Sequence, residues 1–176
     1  AVNTAMYAID KIRDTADAHD RLFFVEVMGR DAGFIALNSG IGVGAGSVII
    51  PEVECSIESL VESLKRGAKR NKLFNLVVVA EGSKCGNANE IAAKVQEKFN
   101  HYDTKVTVIG HLQRGGSPTC MDRVLASRLG FAAVDALLLG QRNVMVGILN
   151  DQVAYTSFDD AINLHKPVNN DLIRIA

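Results

Sequence analysis

Residues 76–80 read LVVVA, a β-branched run with no polar position to turn toward water. A strand of this kind is buried on both faces, as in a parallel sheet covered by helices on either side. Further strand-like runs occur at 21–28 (RLFFVEVM), 46–51 (GSVIIP, stopped by Pro51), 104–110 (TKVTVIG) and 143–149 (NVMVGIL). Helical patterns lie between them. Residues 31–39 form a short helix opened by Asp31, and 56–70 an amphipathic one. Ser56 is an N-cap there without a capping box, because Ser59 stands where a Glu or Gln would close it. Residues 87–99 are helical again, and 120–139 make a long, mostly apolar helix. This alternation predicts an α/β fold, a three-layer sandwich with a largely parallel sheet. We expect one lobe over residues 1–150. The more polar, irregular stretch 151–176 is expected to pack on a lobe outside this chain. The opening AVNTAMYAIDKIRD is helical, since Val2, Ala5, Met6, Ile9 and Ile12, with Ala16, keep a 3-4 spacing. A chain that opens inside a regular element, without Met, is expected to be part of a longer protein.

Composition narrows the partners. The chain is 48% hydrophobic and 22% charged, enough for a core and unlike a disordered segment. A net charge of −1 argues against a broad nucleic-acid or membrane-surface binder. No apolar run approaches the roughly 18 residues of a membrane span. Cys55, Cys85 and Cys120 are odd in number, widely spaced and form no C-x-x-C. We therefore expect neither a disulfide framework nor a structural zinc site, and a reduced, cytoplasmic compartment.

In open α/β sheets, ligands bind beyond the carboxyl ends of the strands. Three such ends carry the same signature. After 21–27 comes MGRD with Arg30; after 76–80 comes EGSK with Glu81; after the strand at 104–109 comes GHLQRGGSPT with His111 and Arg114. Each has a Gly beside an ionisable residue. Glycine lets backbone approach a ligand closely, and arginine offers a planar fork for phosphate or carboxylate. Singly, either Arg would read as a surface residue paired with Asp31 or Asp122; together they read as an anion site. His111 alone fits a hydrogen-bonded structural role best. Glu81 suits a sheet-end ion pair or the acceptance of sugar hydroxyls. A Cys120–His111 nucleophile pair carries little weight, since Cys120 starts an apolar helix.

Two other stretches invite sharper readings. GIGVGAG (40–46) fits G-x-G-x-x-A, but a helix precedes it and a strand follows, the reverse of a dinucleotide fingerprint. No Walker-type phosphate loop is present. The basic KRGAKRNK (65–72) is either a solvated helix end or a second anion site. Pattern alone stops at an α/β lobe for a small, phosphorylated, hydroxyl-rich ligand, with no visible catalytic machinery.

EVMGRDAG, VVVAEG and VTVIGHLQRGGSPTCMDRVLASRLG together resemble the 6-phosphofructokinase family, closest to its bacterial ATP-dependent type. The resemblance runs from AVNTAMYAIDKIRDTA to the last helix and matches the second, sugar-gripping half of a subunit. It implies transfer of the ATP γ-phosphate to the 1-hydroxyl of fructose 6-phosphate, giving fructose 1,6-bisphosphate, with Mg2+. Met28, Gly29 and Arg30 would contact the sugar and its phosphates, and Arg30 would also stabilise the phosphoryl group in flight. Glu81 would bind sugar hydroxyls, and the segment His111, Leu112, Gln113 and Arg114 would hold the 6-phosphate. Family members are tetramers whose sugar site borrows basic residues from a neighbouring subunit. The matching positions are Arg21 and Lys105, the latter replacing the usual Arg and losing its bidentate fork. Effector-site positions fall on Arg13, Arg70 and Lys72, while the expected acidic residue is Gly46 and a further basic one is Leu73. The resemblance places the ATP loops and the Asp general base in the other half. Alternatives are a pyrophosphate-dependent phosphofructokinase, a non-catalytic sugar-phosphate module and, weakly, a dinucleotide oxidoreductase.

Overall fold

The computed structural model describes residues 1–15, 21–70, 74–164 and 166–176. In chain order its elements are α1 (Val2–Asp14), β1 (Arg21–Val27), α2 (Phe34–Gly42), β2 (Ser47–Ile49), α3 (Ile57–Lys69), β3 (Phe74–Ala80), α4 (Ala88–Lys98), β4 (Asp103–Val108), a 3-10 turn (Gly110–Arg114), α5 (Cys120–Leu138), β5 (Val144–Leu149), β6 (Gln152–Ser157), α6 (Phe158–Asn163) and α7 (Asn170–Ile175). Ala16, expected to extend the first helical stripe, lies outside the described residues.

Contacts divide the chain into two units, Ala1–Gly116 with Val168–Ala176, and Ser117–Pro167. In the first unit, four parallel strands run in the order β2-β3-β1-β4. Strand alternation sorts the apolar side chains onto two faces. Phe23, Val25 and Val27 of β1 and Leu76, Val78 and Ala80 of β3 face one cluster, with Ala5 and Ile9 of α1 and Ala36 and Leu37 of α2. Leu22, Phe24, Val77 and Val79 face the other, with Leu60, Val61 and Leu64 of α3 and Ile91 and Val95 of α4. The LVVVA run is thus split between two cores, and the three-layer sandwich follows.

Local chemistry sets the helix ends. Ser56 caps α3 by accepting from the Ser59 amide at 3.2 Å, as expected. Asn87 and Glu90 form a full capping box on α4. The helix expected over 31–39 starts later, at Phe34, with Gly33 rather than Asp31 at its N-cap. The delay comes from a turn in which the Ala32 amide donates to the Gly29 carbonyl at 3.0 Å and Arg30 takes φ +50°.

Two expectations are corrected. Cys55 and Cys85 form a disulfide, with Cα atoms 5.8 Å apart. Thirty residues separate them in sequence. Because β2 and β3 are adjacent and parallel, the loops leaving their carboxyl ends run side by side. The strand at 143–149 does not join the parallel sheet. In the second unit, β5 pairs antiparallel with β6 through a two-residue turn, Asn150–Asp151, both at positive φ. The stretch after Asp151, expected to be irregular, therefore begins as a strand and goes on to two short helices, α6 and α7. That turn has the left-handed geometry of tight hairpins, which Asn and Asp tolerate.

The second unit also carries α5, begun by a Thr119–Asp122 capping box that holds the Asp122 carboxyl below its usual range. The observed division falls after Gly116 and returns at Val168, not at residues 150/151. Val168, with Leu172 and Ile173 of α7, packs into the first unit's α1/α2 core.

Candidate functional site

The register brings three loops to one level. Val27 pairs with Ala80 and Glu26 with Val108, so β1, β3 and β4 all release the chain at the same sheet edge. The loop after β1 leads to α2 on one face, and the loop after β3 leads to α4 on the other. Their divergence opens a crevice between adjacent strands, the position where α/β sheets take ligands.

A cleft of about 270 Å³ lies there, lined by Ala1, Met28, Gly29, Arg30, Ile35, Glu81, Gln113 and Arg114. The Met28–Arg30 turn is held by its own amides. Met28 N donates to Gln113 Oε1 at 2.8 Å, while Gly29 N and Arg30 N both donate to Glu81 Oε1, at 3.1 and 2.6 Å. Two side chains from the neighbouring strand ends thus take three successive N–H groups. This offsets the cost of keeping Arg30 in the left-handed region, which side chains other than Gly avoid. The Arg30 side chain stays exposed. Gly82 makes the approach possible, since a Cβ there would sit 2.0 Å from the Arg30 carbonyl oxygen. Gln113 is 1% exposed, and its Nε2 has no hydrogen-bond partner among the described residues. A buried donor left open in a cleft wall is a group a ligand oxygen would satisfy.

Of the residues expected at the site, Met28, Gly29, Arg30, Glu81, Gln113 and Arg114 meet in this cleft. His111 and Leu112 share the 3-10 turn but are exposed and do not line it. Arg21 and Lys105 lie toward the opposite ends of their strands. Arg21 opens β1, roughly 20 Å from Val27 at the usual rise per residue. Both flank Asp103, Lys105 Nζ at 3.0 Å from Oδ1 and Arg21 Nε at 3.9 Å from Oδ2.

Of the expected effector positions, Arg13, Gly46 and Arg70 fall among the described residues. Arg13 binds Asp10 Oδ1 at 2.8 Å and donates to the Val43 carbonyl at 3.1 Å. Arg70 lines a separate cleft of about 540 Å³ with Ser63, Arg66 and Gly67. Gly46 donates its amide to the Leu76 carbonyl at 2.8 Å. Lys72 and Leu73 lie outside the described residues. The GIGVGAG stretch closes α2 and precedes β2, the order that speaks against a dinucleotide loop.

Sequence reasoning noted the Gly after Glu81 only as part of the strand-end signature, and it missed one residue that shapes the site. Glu52 accepts from the Gly33 amide at 2.8 Å and had no signal, because its partner is 19 residues away across a turn.

The family model for phosphofructokinase matches residues 1–137. An ATP-dependent 6-phosphofructokinase 2 from Bacteroides thetaiotaomicron is 53% identical over 175 residues, covering 99% of this chain and 54% of that protein. An ATP-dependent 6-phosphofructokinase from Cytophaga hutchinsonii is 51% identical over 176 residues, with the same 54% share of its length. The chain thus spans about half the length of the curated relatives it matches. Among solved structures, phosphofructokinase from Saccharomyces cerevisiae superposes with a TM-score of 0.83 at 28% identity, over 92% of this chain and 23% of that one. A pyrophosphate-dependent phosphofructokinase from Marinobacter aquaeolei gives 0.77 at 25% identity, over 96% and 47%. With a family model over most of its length, the chain belongs to the phosphofructokinase family.

Proposed function

We propose that this chain is the sugar-phosphate-binding half of an ATP-dependent 6-phosphofructokinase, which phosphorylates fructose 6-phosphate at its 1-hydroxyl. The observation that carries this is the cleft in which Arg30, Arg114 and the open Gln113 amide converge around the Met28–Arg30 turn. Arg114, with His111 beside it, neutralises the 6-phosphate; Leu112 continues that segment. Gln113 donates to a substrate oxygen. Glu81 holds the turn and presents its remaining acceptor capacity to sugar hydroxyls. Arg30 lies against the transferring phosphoryl group, where a fixed cation offsets charge that develops in flight.

Arg21 opens β1 at the end away from this chain's own cleft, and Lys105 does not line that cleft, which supports their reaching a neighbouring subunit's site in a homotetramer. Mg2+ does not fit the cleft. Its one carboxylate, Glu81, already accepts two amides, and Mg2+ calls for several oxygen ligands. We assign Mg2+, ATP and the general base to the other half of the enzyme. Among the described residues no helix is long and apolar enough to cross a membrane.

The donor assignment rests on relatives named ATP-dependent at 44–53% identity, against pyrophosphate-dependent structural neighbours at 22–25%. Calorimetry tests the reading. The 176-residue chain is expected to bind fructose 6-phosphate, to lose about tenfold or more in affinity in Arg114→Ala, and to show no turnover alone. The complete enzyme is expected to turn over with ATP and not with pyrophosphate. Turnover by this chain alone, or a preference for pyrophosphate, would sink the corresponding part.

Regulation is expected to be weak. With Gly46 where the family's effector site has an acidic residue, and Leu73 where it has a basic one, a magnesium-bound nucleoside diphosphate loses two anchors. ADP titrated against the complete enzyme at sub-saturating fructose 6-phosphate is expected to activate less than about twofold, corresponding to under 0.5 kcal/mol of coupling. Strong activation would refute this.

A further inference from the structure

The turn that presents Arg30 is gripped from two sides. Glu81 takes the Gly29 and Arg30 amides on one side. On the other, Glu52 Oε1 accepts from the Gly33 amide at 2.8 Å. Gly33 is the N-cap of α2 and offers no side chain of its own, so the Glu52 carboxylate supplies the negative charge favoured at that helix start. The fit is close: a Cβ on Gly33 would lie 2.4 Å from Ile50 Cβ and 2.7 Å from Glu52 Oε2.

The two gripping carboxylates sit on different loops, and the disulfide joins those loops. Glu52 is three residues before Cys55 in the loop from β2 to α3. Glu81 is four residues before Cys85 in the loop from β3 to α4. The Cys85 end is itself fastened, since the Cys85 amide donates to Ser83 Oγ at 3.2 Å and Lys94 Nζ donates to the Cys85 carbonyl at 2.6 Å. The Cys55 end abuts the Ser56 cap of α3. The path Glu52–Cys55–Cys85–Glu81 therefore forms a clamp around residues 29–33.

We propose that Glu52 is a positioning residue for the Arg30 turn, and that the Cys55–Cys85 bond makes sugar-phosphate affinity depend on thiol redox state. The affinity part rests on the function proposed above. The chemistry is ordinary exchange with a dithiol. A thiolate attacks one sulfur to give a mixed disulfide, and its second thiol then releases the other cysteine. Cys55 and Cys85 together gain two electrons and two protons, and the reductant becomes a disulfide. Once cut, the Glu52 loop keeps its ends in β2 and α3 and its bond to the Gly33 amide but loses its covalent tie to the Glu81 loop.

The test uses the 176-residue chain, oxidised and after reduction with dithiothreitol. Thiol titration of the oxidised, denatured chain is expected to find one thiol, Cys120; three would overturn the proposal. On reduction, amide exchange at Gly29, Arg30 and Gly33 is expected to speed up at least fivefold, while Val25 in the core of β1 keeps its rate. Fructose 6-phosphate affinity is expected to fall by about the same factor and to recover on reoxidation. Glu52→Ala reproduces the loss in oxidised protein and leaves reduction little further effect, whereas Glu52→Gln, which keeps an acceptor oxygen, restores most of it. Unchanged exchange at the turn on reduction, or exchange that rises equally at Val25, would overturn the clamp. If no form binds the sugar phosphate, the functional reading fails, and the exchange pattern still decides the clamp by itself.

Discussion

Arg30→Ala in the complete enzyme is expected to lower kcat about a thousandfold, with a much smaller change in the KM for fructose 6-phosphate. The asymmetry follows from where the charge is needed. A cation facing the transferring phosphoryl group interacts most strongly when charge is spread over its oxygens in flight, so its loss appears in kcat. Removing one preorganised charge from such a site costs on the order of 10³ in rate, about 4 kcal/mol of transition-state stabilisation. The backbone supports this assignment. Arg30 is held at φ +50° by two carboxylate-bound amides, a conformation that stands only where the surroundings fix it, and its side chain is exposed. Arg30→Lys should recover only part of the rate, since an ammonium keeps the charge but lacks the planar fork. Steady-state kinetics over fructose 6-phosphate concentration separate the two parameters. A variant whose KM rises while kcat holds would reassign Arg30 to ground-state binding.

How much of this was legible in the sequence differs from element to element, for physical reasons. The sheet was readable because β1 and β3 are apolar at nearly every position, and only burial on both faces explains such runs. The site was readable because the strand-end rule is topological. Once β1, β3 and β4 are parallel neighbours, Arg30, Glu81 and Arg114 must leave at the same edge. What stayed hidden depends on contacts between loops. Cys55 and Cys85 meet only because β2 and β3 are adjacent, which spacing along the chain does not state. Glu52 reaches Gly33 across a turn whose shape is set by Arg30 at positive φ, and a non-glycine residue gives no warning of that conformation. The β5–β6 hairpin was obscured by Asn150–Asp151, which reads as polar loop while forming the tightest kind of strand connection.

Gly82→Ala is expected to be the most damaging single-carbon change near the cleft. The added Cβ would lie 2.0 Å from the Arg30 carbonyl oxygen, 2.9 Å from its carbonyl carbon and 3.3 Å from Asp31 Cα. All three are backbone atoms, so no side chain can swing aside, and the loops after β1 and β3 must separate by more than 1 Å to reach ordinary contact. The hydrogen bonds that would stretch are those of Glu81, which follows directly from β3 and binds Gly29 and Arg30. Overpacking of this kind costs about 3 kcal/mol. It would also leave Glu81 without its amides and Arg30 without the contacts that fix its backbone. Calorimetric unfolding of the chain should then show a Tm lowered by several degrees, while the affinity for fructose 6-phosphate falls about a hundredfold. The affinity loss should exceed that of Glu81→Gln, which removes a charge but keeps an oxygen for both amides. That ordering separates a displaced turn from a lost sugar contact. An unchanged Tm with ordinary affinity would mean that the two loops do not touch in solution, and Glu81 and Arg30 would then have to be treated as independent ligands of the sugar phosphate.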